Sequence, residues 1–261
     1  MIYDSDAPPE EIWRTGRVEF ALRYPFSNGW RTVAGCGVLA ALGFLVLSAV
    51  PAVAVFFSYF SFFLPPTVVA VVTVAVVVSF AVPALAVVGY GYAVCRETAY
   101  GGLRVPSFGS IGFRALRGVG VVFVAGVVLV PVAVATADTA FFYEENAGGE
   151  AVAVIVTLGA VVGYYLLTAF VTVYAVTGSI LRTFLSARAL RFAVSAFYVR
   201  AWILQFVFGV ALLIVGFMSL PTVVGFFFWL GYAPVALASY WGRVYKEAMD
   251  AGVVKPEDTA V

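Results

Sequence analysis

Few side chains in this sequence stand where they could do chemistry. Gln205 and the hydroxyls of Ser48, Ser79, Thr157, Thr168 and Thr172 lie inside long uncharged segments, where a polar group is costly unless it finds a partner. Gln205 has two readings: a hydrogen bond between helices, worth about 0.6 kcal/mol on average inside a membrane, or a contact to a substrate. The hydroxyls are expected to bond back to carbonyls of their own helices. Two ionic pairs, Arg96 with Glu97 and Lys246 with Glu247, read either as solvated helix ends or as docking points for a soluble partner. Cys36 and Cys95 lie near the ends of apolar runs without CxxC spacing. They read as buried, inert thiols rather than as a zinc site or a disulfide.

What is missing narrows the chemistry further. Histidine is absent, which removes the commonest general base and metal ligand. No Asp, Glu, Lys or Arg falls inside the long apolar runs, although proton relays and intramembrane proteases need such groups at depth. A proton-coupled transporter or an intramembrane protease is therefore disfavoured. No residue is assigned a catalytic, cofactor-binding or metal role, and no cofactor is expected. The net charge of +1 gives no reason to expect a nucleic-acid partner.

The elements that must carry these residues are set by composition. Of 261 residues 63% are hydrophobic and 11% charged, against roughly 45–50% and about 25% in a soluble domain. Too few charges are present to cover a water-facing surface, so the expected class is an all-α, polytopic membrane protein. Residues 1–32 read as a cytoplasmic segment with an amphipathic interfacial helix, its Trp13, Phe20, Tyr24 and Phe26 dipping and its arginines snorkelling. No cleavable signal peptide is expected, since this stretch is too charged. Residues 33–242 read as six transmembrane helices and 243–261 as a soluble cytoplasmic tail.

The expected spans are 33–64, 67–95, 119–137, 151–180, 201–220 and 222–241. Spans one and two turn at Pro65 and Pro66, and spans five and six at Ser219 to Pro221. Spans three and four are joined by a loop bearing Asp138, Glu144, Glu145 and Glu150. Gly159 and Gly163 stand at GxxxG spacing, which admits either a close helix contact or chance in a glycine-rich chain. Residues 181–200, with Arg182, Arg188, Arg191 and Arg200 among aromatic and aliphatic residues, read as a second interfacial helix. Pro51, Pro83, Pro131 and Pro234 are expected to kink helices for packing, or else to open carbonyls to a cavity.

All fifteen Lys and Arg residues fall in alternate connections: four before span one, four between spans two and three, four between spans four and five, and three after span six. Basic residues in short loops favour the cytoplasmic side. The expected protein is thus multi-pass in the plasma membrane with both termini in the cytoplasm.

Two span ends align without gaps, Tyr90 with Tyr240, Val94 with Val244, Arg96 with Lys246, Glu97 with Glu247 and Gly102 with Gly252. One reading is a degenerate repeat of interfacial helix plus helical hairpin. The other is that any span leaving the cytoplasmic interface ends in such anchoring residues. Around the first copy, Gly89 with Tyr90, then Arg96, Gly102 and Pro106 with Phe108, together with the RYPF of residues 23–26, the chain resembles the archaeal membrane proteins of domain of unknown function 4013. That resemblance, over roughly residues 15–250, implies an archaeal source and no assigned activity.

The expectation is a non-enzymatic structural or accessory bundle, in contact with membrane lipids and associating with itself or with a protein partner. The alternative is an uncoupled permease or channel for small neutral or lipidic solutes. A polar cavity between spans two, four and five would favour the alternative, and a fully packed interior the first reading.

Overall fold

The computed structural model describes residues 16–27, 33–38, 41, 66–103, 105–106, 111–146 and 149–254. Among these the chain is all-helical. Helix α1 is Arg17–Arg23, continued by a tight turn of 3-10 helix at Tyr24–Phe26. The long helices are α2 (Pro66–Ala99), α3 (Ile111–Asn146) and α4 (Gly149–Thr177). Short helices α5 (Ile180–Leu185) and α6 (Arg188–Val194) precede α7 (Ala196–Ser219) and α8 (Val223–Asp250). Four stretches, in α3, α4, α7 and α8, are long and apolar enough to cross a membrane. Span one falls largely outside the described residues, of which 33–38 and 41 are helical; so do Trp13, Ser48 and Pro51.

The helices are longer than the apolar runs within them. At 1.5 Å per residue the 36 residues of α3 extend about 54 Å, well beyond the ~30 Å hydrocarbon core of a bilayer. The expected acidic loop is thereby corrected: Asp138, Glu144 and Glu145 stand on α3 and Glu150 on the first turn of α4. Charge ends an apolar run without ending a helix, and Glu150 suits the positive end of the α4 dipole. Similarly α8 continues through Arg243 to Asp250, with Val244, Tyr245 and Ala248 buried rather than solvated.

Glycines set where helices stop and where they cross. Helix α2 ends in a Schellman cap: Gly101 has φ +87°, its N–H reaches Thr98 O at 3.1 Å, and the Gly102 N–H reaches Glu97 O at 2.8 Å. Helix α8 ends the same way on Gly252 at φ +72°, with Gly252 N–H to Met249 O at 3.0 Å and Val253 N–H to Ala248 O at 2.9 Å. Where α2 crosses α8, a methyl on Gly242 would collide with Thr98 Oγ1 and the Cys95 carbonyl. The Gly159 and Gly163 face is a helix contact inside the chain, because a methyl on Gly159 would collide with Thr136 of α3 and one on Gly163 would lie 3.3 Å from Leu129.

Two interfacial readings change. Phe20 and Tyr24 do not dip into headgroups; they are buried against the bundle, within a cluster containing Tyr90, Val94 and Val235. Residues 181–200 are not one helix, because Ser186 and Ser195 adopt extended backbone (ψ 132° and 139°) and divide them into α5, α6 and the start of α7. Ser195 then caps α7, accepting from Tyr198 N–H at 3.1 Å. Leu181, Leu185 and Val194 remain exposed there, as expected for segments lying against lipid.

Candidate functional site

The α2–α8 crossing is made by small residues, with Gly91 facing Ala238, where a methyl on Gly91 would lie 3.8 Å from the Ala238 Cβ. Small side chains here leave space that the neighbouring helices do not fill. A cavity of about 400 Å³ results between α2, α3, α4, α7 and α8. Val121, Ala125, Val171 and Leu237 give it an apolar wall, and among the described residues no Asp, Glu, Lys or Arg lines it. Val88, Val122 and Tyr164 are exposed as well as lining and form its rim.

A few polar atoms interrupt that wall. Gln205 is 4% exposed. Its Nε2 donates to the Tyr164 hydroxyl at 2.5 Å, joining α7 to α4, while its Oε1 is buried without a hydrogen-bond partner. One turn earlier on α7 the Trp202 Nε1 is also buried without a partner, its ring packed edge-on against Tyr165 at 5.4 Å. On α4, Thr168 donates to Tyr164 O at 2.8 Å and Thr172 to Thr168 O at 2.7 Å. Each threonine oxygen keeps acceptor capacity after donating to its own helix. The Tyr92 hydroxyl accepts from Arg117 at 3.3 Å at the edge of the cavity.

A second cavity of about 460 Å³ lies between α3 and α4 beside Gly159 and Gly163. Among the described residues its one hydroxyl is that of Thr136, which donates to Val132 O at 2.7 Å, and the rest of its lining is apolar.

Charged residues of α1 and α8 meet where α1 docks. Glu247 accepts from Arg17 Nε at 2.7 Å and from Arg243 Nε at 2.9 Å. The Arg17 guanidinium stacks 4.3 Å from the Phe197 ring and that of Arg243 4.8 Å from Phe20. Nearby, burial pushes the Tyr24 hydroxyl well above the usual phenol range, and the charge of Glu97 raises it further.

Of the polar residues singled out in the sequence, the structure brings Gln205, Thr168 and Thr172 to one cavity, with Cys95 beside them. Thr157 is not among them; it is exposed and bonds Ala153 O at 2.7 Å. The side chains of Ser48 and Ser79 are outside the described residues. Glu247 is engaged by Arg17 and Arg243, Lys246 pairs with Asp250 at 2.7 Å, and Arg96 lies 6.0 Å from the Tyr100 ring. Sequence reasoning missed Tyr92, Tyr164 and Trp241 as lining residues. Their signal was weak, since a tyrosine or tryptophan near the end of an apolar run reads first as an interface anchor.

Neither the curated proteins nor the solved structures include a match to this chain. The family described as Protein of unknown function (DUF4013) does match, over residues 72–220, and that stretch holds α3 to α7, most of α2 and the Gln205 side of the cavity. With more than half its length matched, and with apolar helices compatible with an integral membrane protein, the chain belongs to the DUF4013 family.

Proposed function

We propose that this is a six-span protein of the cell membrane, with both termini cytoplasmic, that performs no catalysis and holds a lipidic guest in the cavity beside Gln205. The observation that carries this reading is the cavity itself. It is neither the fully packed interior of a purely structural bundle nor the polar path of a channel. Its volume of about 400 Å³ falls within the roughly 300–1,000 Å³ of pockets that enclose small ligands. Among the described residues its wall is largely apolar and carries no ionised group, which suits a solute drawn from the bilayer. The grouping of basic residues at the α1 end supports the orientation, which places the cavity in the cytoplasmic half of the membrane.

Native mass spectrometry of protein extracted from its own membranes in mild detergent tests the reading. A lipid-sized mass is expected on the wild type and is expected to be lost from Ala125→Phe, which fills the cavity from α3. Wild-type protein that carries no bound lipid, or an Ala125→Phe variant that keeps it fully, overturns the proposal.

A further inference from the structure

Residues 177–203 repeat with a period of nine, as TGSILRTFL, SARALRFAV and SAFYVRAWI. Each unit opens on Ser or Thr, has Leu or Val fifth and arginine sixth, and closes on Leu, Val or Ile. Nine residues turn an unbroken helix about two and a half times, which would set Arg191 on the face opposite Arg182 and Arg200. The chain is broken instead. Extended backbone at Ser186 and Ser195, with ψ 132° and 139°, restarts the helix at each unit, and all three arginines come out exposed. The residue after each arginine, Thr183, Phe192 or Ala201, is fully buried. The inner faces are held by the bundle, with Phe184 stacked 5.2 Å from Phe170 of α4 and Phe192 packed 5.4 Å from Tyr245 of α8.

The outer face combines two chemistries. Leu181, Leu185, Leu190 and Val194 are exposed beside the arginines. The sequence has no Asp or Glu between Glu150 and Glu247, and Arg191 and Arg200 enter none of the ion pairs among the described residues. The matching partner is therefore anionic at one end and apolar at the other. Free phosphate leaves the leucines in water, and an acidic protein face does not cover them with hydrocarbon. An anionic phospholipid meets both, its phosphate taking the guanidinium fork and its chains the leucines.

We propose that residues 177–203 form a headgroup-binding elbow, whose three arginines hold anionic phospholipids of the leaflet at the α1 end. Arg17 of α1, stacked 4.3 Å from the Phe197 ring, fixes that end. The elbow rests on the membrane-spanning part of the reading above and is separate from the guest in the cavity.

Native mass spectrometry of the full chain in neutral detergent, with equimolar dioleoylphosphatidylglycerol and dioleoylphosphatidylcholine, reads the ratio of the two lipids bound. The wild type is expected to prefer the anionic lipid. A cation near the surface is worth about fivefold, so Arg182→Gln, Arg191→Gln and Arg200→Gln together are expected to lower the ratio at least about tenfold. Removing three cations elsewhere, in Arg23→Gln, Arg96→Gln and Lys246→Gln together, is expected to lower it less than about twofold. Equal losses in the two triple variants reduce the effect to net charge and overturn the elbow, as does a wild type without preference. Ala125→Phe, which fills the cavity, is expected to keep the ratio. Loss of the preference in that variant assigns the anionic lipid to the cavity and overturns the elbow, whereas an empty cavity with the ratio intact overturns only the guest. Should the elbow variant fail to fold, raising ammonium acetate from about 0.1 M to about 1 M must weaken the preference of the wild type, since exposed charges are then screened; a ratio unmoved by salt overturns the proposal.

Discussion

At the α1 end of the bundle, tyrosines tie one element to another: Tyr90 donates to Pro106 O at 2.9 Å, Tyr232 to Leu22 O at 3.0 Å and Tyr240 to Ala201 O at 2.7 Å. In the opposite halves of α3 and α4 the hydroxyls of Thr136, Thr139 and Thr157 bond only within their own helices. Val130, Val134, Val154 and Leu158 are exposed there. Lipid tails are as apolar as Val or Leu, so exposed valines hold nothing together, and specificity must come from close backbone approach and from satisfied polar groups. The α1 end has both, together with the docked α1. The far hairpin has chiefly the Gly159 and Gly163 contact, and the cavity at Gln205 lies on the side of the bundle that is better held.

The largest expected effect breaks this contrast at its tightest point. Gly242→Leu puts a side chain into Thr98 and the Cys95 carbonyl, and overpacking of this kind costs about 3 kcal/mol. Gly149, at the start of α4 on the far hairpin and with nothing within 4 Å of an added methyl, is the matching site, and Gly149→Leu is expected to leave stability unchanged. Thermal unfolding in detergent compares the two, and equal losses would erase the distinction between the ends.

A smaller effect is expected at the latch that holds α1. Glu247→Gln weakens its bonds to both Arg17 and Arg243, and Arg243 is only 5% exposed. A loss of about 2 kcal/mol is expected, as for hydrogen bonds to charged groups. In a double-mutant cycle with Arg17→Gln, coupling of about 1 kcal/mol would sharpen the picture of a docked helix, and additivity would refute it.

The smallest effect is a pH dependence. Burial raises the Tyr24 phenol above its ordinary value. Below about pH 10 the phenol is neutral in the folded and the unfolded chain, and the contribution of its burial is fully present. Above that pH the unfolded chain ionises while the folded one does not, so stability falls by about 1.4 kcal/mol for each further pH unit. Between pH 8 and pH 11, Tyr24→Phe is expected to lose less stability than the wild type; identical profiles would show that this phenol does not resist ionisation.

Helix type and the four stretches apolar enough to cross a membrane were legible because uncharged runs longer than about 20 residues have few other solutions. The helix-to-helix bond of Gln205 and the self-bonding of Thr157, Thr168 and Thr172 were legible for the same reason, a polar group among apolar ones having few partners. Helix ends were less so, because charged turns such as those at Glu144 and Glu145 end an apolar run without ending the helix. The placing of Phe20 and Tyr24 was misread, since an amphipathic segment looks alike whether its apolar face meets lipid or protein. The contact of Arg17 with Glu247 spans 230 positions, and no local pattern encodes it. The cavity was invisible too, because empty space is set by how Gly91 and Ala238 let helices cross.

The proposed orientation turns the tightly held end and the cavity toward the cytoplasm. Both described cysteines, Cys36 and Cys95, are buried, so introduced thiols can be read against a low background. In intact cells a membrane-impermeant maleimide is expected to label Glu150→Cys at once and Asp250→Cys only after permeabilisation. Labelling of Asp250→Cys in intact cells, with Glu150→Cys protected until permeabilisation, would contradict the orientation and everything placed by it.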